Sequence, residues 1–294
     1  METVYRLLLC QTVWESHHDR ESAETWLAPI LARDDKHEAA NRVLAEIAEE
    51  SDDHTTAVKH YRTVLSVSPD GLDAIEVERR VAEILLHKAG DSEGALVHFQ
   101  NVLKHAPGDS RALDGVKSAQ VANADWNGFA ESLCYEFSLL LGRRESMSPQ
   151  EISAYDAAEI VSAIRVPASQ IVVDIADVVE REFHDIHTAW RLWGLAFVLW
   201  GEQIDALERR IELDRQLDEK EALAEDLEAY ADVLLQPQDR YRVLVEAGHL
   251  YAAKLLMPER ARPLYQAAIA IMDSEESRPG DFDTIRRALA KLDG

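Results

Sequence analysis

The sequence predicts an all-α fold, a solenoid of about eight stacked antiparallel helical hairpins that becomes irregular in the middle. Three observations carry this. Apolar residues recur at spacings of three and four from one end of the 294 residues to the other. Twelve Gly and nine Pro are about half the usual share, too few turn residues for an all-β sandwich. One residue pattern also returns at a distance in the thirties, as in a solenoid.

The pattern is clearest between residues 77 and 108. Val77, Val81, Ile84 and Leu85 make one stripe, which Gly90 ends. Ala95, Phe99, Val102 and Leu103 make a second, broken by Pro107 and Gly108. Asp91-Ser92-Glu93-Gly94-Ala95 aligns with Asp53-His54-Thr55-Thr56-Ala57 and Asp19-Arg20-Glu21-Ser22-Ala23. The interval from Ala57 to Ala95 is four residues longer than that from Ala23 to Ala57. Leu27, Tyr61 or Phe99 follows four residues after the alanine, and Asp35, Pro69 or Pro107 twelve after it. Asp125-Trp126-Asn127-Gly128-Phe129 continues the series at the shorter interval. The four extra residues before Ala95 are assigned to GLDAIEVER as one added helical turn. Sixteen helices are expected in all.

With these residues in place, the chain resembles a tetratricopeptide repeat (TPR) protein, built from 34-residue helix-turn-helix units. The first-helix pattern is matched by Trp190-x2-Trp193-Gly194-x2-Phe197 with Ala206 following, and the second-helix pattern by Ala95-x3-Phe99 with Pro107. Gly248-x2-Tyr251 with Ala261-x3-Tyr265 and Ala268 is a further match, with one extra residue in the turn. The resemblance covers residues 4–137 and 186–275 and lapses between Gly142 and Asp185. Three regions follow: N-terminal repeats over 1–141, an irregular helical insertion over 142–185, and C-terminal repeats over 186–294.

The resemblance implies a right-handed superhelix whose first helices line a concave, partner-binding side. The repeat register assigns to that side Tyr5, Leu8 and Thr12, then Arg42, Glu46 and Glu49, then Arg80, Ile84, His87 and Lys88, then Arg111, Asp114 and Ser118. Some TPR proteins clamp a chaperone's terminal carboxylate with Lys and Asn here. Leu8, Thr12, Arg42 and Glu46 occupy those places in this chain, which argues against that ligand.

In the middle, Ser148-Pro149-Gln150-Glu151 is a helix start with a Ser cap, Pro in the first turn and Glu at the third position. Pro167 opens the next helix, and another runs from about Ile186 to Trp200. Beyond it two phases compete. Trp190 to Ala206 makes residues 203–217 a second helix, whereas DEKEALAEDL echoes ADWNGFAESL, itself a second helix. Pro29 and Pro263 fall inside helical patterns and predict kinks. DFDTIRRALAKLDG, after Pro279-Gly280, is expected to close the array as a short amphipathic helix. A chain that opens directly in a repeat helix is compatible with being part of a longer protein.

Charge and motifs narrow the chemistry. The formal charge of −24 disfavours nucleic acid, which is bound through counterion release by Lys and Arg. METVYRLLLC fails as a secretion signal because of Glu2, its short apolar run and Leu9 before Cys10. The most apolar stretch, Leu192–Gly201, is about half a membrane span. The expectation is a cytoplasmic protein that binds neither membrane nor nucleic acid. Cys10 and Cys134 sit at packing positions, and no phosphate-binding glycine loop or nucleophile elbow is present. His17-His18-Asp19 reads as a solvated loop. Glu180, His184, Asp185 and His187 form the densest such group, in which His184 shares a helical face with Glu180 and with His187, and the His184-Asp185 dyad resembles HD-type phosphohydrolases, but the further ligands are not recognisable. Runs such as EKEALAEDLEAYAD read as a solvated helix face. Trp190, Trp193, Phe197 and Trp200 gather on one arc, opposite Leu192, Leu195 and Leu199. That helix is inter-repeat core or else an apolar interface through which the chain self-associates.

The expected function is a non-enzymatic adaptor, without cofactor or metal, holding protein partners on the concave side. The acidic balance favours a basic or amphipathic partner segment. The alternatives are a module that senses a peptide or small ligand near Trp190–Trp200 and, remotely, a metal-dependent helical hydrolase using His184, Asp185 and His187.

Overall fold

A computed structural model describes residues 2–69, 71, 73–273 and 279–293. These hold sixteen α-helices and no β-strand. The first four hairpins use α1 (Glu2–His17), α2 (Arg20–Leu31), α3 (Glu38–Glu50), α4 (His54–Val67), α5 (Ala74–Ile84), α6 (Ser92–His105), α7 (Ser110–Ala122) and α8 (Trp126–Leu140). A one-turn helix α9 (Pro149–Ser153) and two 3₁₀ turns follow. Then come α10 (Arg165–Arg181), α11 (Ile186–Leu199), α12 (Ile204–Leu217), α13 (Lys220–Val233), α14 (Pro237–His249), α15 (Pro258–Asp273) and α16 (Phe282–Asp293). The chain divides into two compact units, Met1–Ser132 and Leu133–Gly294.

A single turn design generates every hairpin. His18, Asp52, Gly90, Ala124, His184, Asp218 and Leu256 all take positive φ, between 47° and 69°. Each ends a first helix in the left-handed conformation that releases the chain from the helix. The next residue usually caps the second helix. Asp19, Asp53, Asp91, Asp125 and Asp185 accept the backbone N–H three residues on, at 2.8–3.2 Å. The backbone N–H of Asp53, Asp125 and Glu219 returns to the carbonyl five residues earlier, at 2.8–2.9 Å. Eight residues after each turn's second member lies a large side chain that fills the core: Leu27, Tyr61, Phe99, Leu133, Trp193, Leu227 or Tyr265, none more than 6% exposed. Ala23, Ala57, Ala95, Ala189 and Ala261, four residues after it, have no exposed surface. Small residues there let helices approach closely, and burying the larger one contributes about 1.5–3 kcal/mol.

This recurrence settles the phase. The described residues form seven hairpins rather than eight, because α9 is a single turn and α16 closes the second unit unpaired. Trp190-x2-Trp193-Gly194 lies in α11, a second helix, so its reading as a first-helix signature is corrected. Trp193 occupies the place of Tyr61 and Phe99. The echo between DEKEALAEDL and ADWNGFAESL holds, since both segments begin second helices. The α10–α11 hairpin therefore spans residues 185 and 186, where a region boundary was expected.

The extra residues are also placed differently. Cap to cap, Asp19 to His37 and Asp91 to Asp109 are equal intervals, but Asp53 to Asp73 is longer by two. Two extra residues thus precede α5. The other two fall between Asp73 and Asp91, where α5 continues as a π-turn over Leu85–Ala89. Leu72, within the assigned stretch, lies outside the described residues. A second π-turn, Leu250–Lys254, absorbs the extra residue before Ala261. Ser148 forms the expected capping box with Glu151, but its helix lasts one turn. Pro29 and Pro263 lie inside α2 and α15, which continue through them. Phe282 and Ile285 of α16 bury against α15 and its neighbours.

Candidate partner-binding surface

The first unit contributes four first helices, α1, α3, α5 and α7. Tyr5 and Leu8 are 63% and 56% exposed, and Thr12 beside them donates its hydroxyl to the Leu8 carbonyl at 2.8 Å. His87, Lys88, Arg111, Asp114 and Ser118 are exposed as well, with Asp114 paired to Lys117 at 3.0 Å. Ile84 is 5% exposed within the core of α3–α7, as its place in the apolar stripe requires and against its register assignment to the concave side.

Arg42 and Arg80 each pair within the first unit, Arg80 together with Glu49. Arg42 donates to Asp73 at 2.7 Å and Glu38 at 3.1 Å. Arg80 donates to the Tyr61 hydroxyl at 3.1 Å, and that hydroxyl donates to Glu49 at 2.8 Å. The two cations are thus neutralised by carboxylates of their own unit. Glu46 has no hydrogen bond or ion pair among the described residues, and burial raises its carboxyl above the usual range.

Between α1 and α3 lies a groove of about 280 Å³. Val43 and Ile47, one turn apart on α3, make its apolar floor. Trp14 stands at its side and donates its indole N–H to Glu50 at 2.6 Å, while His18 meets the indole edge-on at 5.1 Å. Glu15, Glu46 and Glu50 all line it, and neither Lys nor Arg does. Three carboxylates around an indole suit a cation, through charge and through the ring face. The register count includes Glu46 but misses Trp14, Glu15, His18 and Glu50. The available signal was Glu15, which stands one repeat period before Glu49.

In the second unit the Trp-rich helix is covered from within. Trp190 donates its N–H to Asp214 at 2.7 Å and Trp193 to Glu180 at 2.9 Å, while Phe197 packs on Leu207, Ile211 and Leu223. Trp200 is half-buried, and Leu192, Leu195 and Leu199 are buried. Of the two readings of this helix, the packing favours inter-repeat core over an apolar interface at Trp190, Trp193, Phe197 and Trp200, because α11 packs against both α10 and α12. Glu180 also accepts from Arg209 at 3.1 Å, His184 is the left-handed turn residue, and Asp185 is a helix cap. His187 is exposed, and no three His, Cys, Asp or Glu residues group as metal ligands among the described residues. The HD dipeptides at 18–19 and 184–185 are the same structural turn.

The acidic stretch around Glu225 is less uniformly solvated than its sequence implies. Glu225 and Glu228 pair with Arg260, but Asp226 is only 7% exposed and faces Asp214, which is fully buried. Arg210 Nε lies 3.0 Å from Asp226. Burial, reinforced by the neighbouring Asp214, pushes Asp226 up to about 7, and burial also raises Asp214. Cys10 is buried, which pushes its thiol up to about 11, and Cys134 is buried too.

Seven hairpins sharing one turn and one core register define a TPR-like helical-repeat protein. Over 95% of its length, at 16% identity and a TM-score of 0.54, it is similar to a chain in the structure of Naa15/Naa10 bound to HypK-THB, and it spans 40% of that chain. It also aligns with a tetratricopeptide repeat protein from Parabacteroides merdae, over 100% of this chain and 99% of that one, at 14% identity and a TM-score of 0.40. No protein-family model and no curated protein sequence matches the chain. Among the described residues no helix is long and apolar enough to cross a membrane.

Proposed function

We propose that the protein is a non-enzymatic cytoplasmic scaffold that docks a basic, amphipathic segment of a partner protein on the first helices of its N-terminal unit. The observation that carries this is the α1–α3 groove, where Glu15, Glu46 and Glu50 surround Trp14 over an apolar floor. A Lys or Arg of the partner enters beside the indole, and neighbouring apolar residues of that segment lie on Val43 and Ile47. The first-helix residues Tyr5, Leu8 and Thr12 extend the contact, while Arg42 holds Glu38 and Arg80 holds Glu49 in place.

Fluorescence anisotropy with two labelled peptides tests this reading. One is an amphipathic helix of about 15 residues carrying Leu on one face and Lys on the other, and its counterpart carries Glu in place of Lys. The Lys peptide is expected to bind, more weakly as salt rises, and Glu46→Lys to weaken it roughly tenfold. Equal binding of both peptides, or a Glu46→Lys variant that binds unchanged, contradicts the reading.

A further inference from the structure

A second cavity, in the other unit, has the opposite chemistry. It lies between residues 153–157 and helices α11 and α12, with a volume of about 330 Å³, at the small end of ligand sites. Its floor is Gly194 and the guanidinium of Arg210. A Cβ at residue 194 would stand 2.6 Å from Arg210 Nη1, so only the absence of a side chain lets the guanidinium lie there. Arg210 is also fixed from behind. Its Cζ sits 5.1 Å from the centroid of the Trp190 ring, and its Nε is 3.0 Å from the buried Asp226 carboxylate. Nη1 and Nη2 have no hydrogen-bond partner among the described residues, leaving the forked donors of the guanidinium to the cavity.

A second cation stands at the rim. Arg191 is exposed and has no ion-pair partner among the described residues. The one carboxylate lining the cavity, Asp156, is committed to the backbone N–H of Ala158 at 2.8 Å. Leu195 and Val198, one and two turns beyond Arg191 on α11, form an apolar side of the cavity, and Val198 is 59% exposed. Tyr155 adds an aromatic side.

We propose that this cavity binds a small organic anion whose carboxylate or phosphate group rests on Arg210 and Arg191 and whose apolar body lies against Trp190, Leu195 and Val198. A guanidinium with two free terminal nitrogens matches the paired oxygens of either head group. The Asp226 carboxyl group and the Trp190 ring hold the guanidinium in place. The site is independent of the peptide groove, which belongs to the other unit and takes a cation.

Calorimetric titration of the full chain with phenyl phosphate, phenylacetate, inorganic phosphate and neutral benzyl alcohol tests it. At least one of the two aromatic anions is expected to bind at least tenfold more tightly than benzyl alcohol. Phenyl phosphate as the tighter of the two identifies a phosphate site, and phenylacetate a carboxylate site. Gly194→Ala, which crowds Arg210, and Arg191→Gln, a change at an exposed rim residue, should each weaken the anion at least fivefold. Circular dichroism establishes that each variant is folded, and if Gly194→Ala is not, Arg191→Gln decides. The proposal is overturned if both aromatic anions bind no better than benzyl alcohol, or if the folded variants bind them undiminished. Inorganic phosphate bound as tightly as phenyl phosphate also overturns it, since the apolar wall would then contribute nothing.

Discussion

Six residues with side chains, His18, Asp52, Ala124, His184, Asp218 and Leu256, hold the left-handed conformation that Gly90 holds in the third hairpin. An L-residue there costs about 1–2 kcal/mol in backbone sterics, partly offset by its lower entropy in the unfolded chain. Ala124 is exposed. Ala124→Gly is therefore expected to raise stability by about 0.5–1 kcal/mol, read as a higher urea midpoint; a lower midpoint would contradict the shared turn. Asp226 makes a different prediction at the same scale. Its carboxyl is raised to about 7, so it binds a proton more tightly in the folded than in the unfolded chain. Its contribution to stability is full below about pH 4 and is lost as pH rises through 7. Asp226→Asn keeps the neutral shape. Urea midpoints at pH 5 and pH 8 should show the native chain losing on the order of 2 kcal/mol more than the variant. Parallel pH dependence in the two would exclude a proton held by the buried acid pair.

At the scale of elements, packing turns on a few close approaches. A Cβ on Gly115 of α7 would fall 2.3 Å from the Phe99 ring of α6. Gly115→Ala is expected to cost about 1–3 kcal/mol through overpacking, and Phe99→Ala about 3–5 kcal/mol through the cavity it leaves, each measured by denaturant unfolding. Similar small losses for both would mean that α6 and α7 are not packed through this contact. Most elements were legible in the residues. The Asp-x-x-x-Ala spacing marks α2, α4 and α6 because a cap and a close-packing alanine both demand particular residue types. The phase around α11 was not, because Trp193 and Gly194 satisfy a first-helix pattern while lying in a second helix. The HD turn shared by residues 18–19 and 184–185 carried the correct phase, but two residues are a weak signal. The π-turn at Leu85–Ala89 was hidden too. An inserted residue changes the length of a repeat without showing whether a loop or a helix absorbs it.

At the scale of the whole molecule, a charge of −24 conceals two local chemistries. Composition made a basic partner the natural expectation, and the α1–α3 groove concentrates that acidity at Glu15, Glu46 and Glu50. Arg42 and Arg80 were legible as surface residues, but not as paired ones, because pairing depends on Asp73 and Glu49 meeting them across helices. The cavity at Arg210 depends on α11, α12 and an irregular segment converging, which no spacing along the chain reveals. Differential hydrogen exchange with and without the Lys-faced amphipathic peptide tests the scaffold reading most directly. Slower exchange confined to about residues 10–18 and 42–50 is the result this account predicts. Protection confined to the second helices α2, α4 and α6, or no protection at saturating peptide, would contradict it.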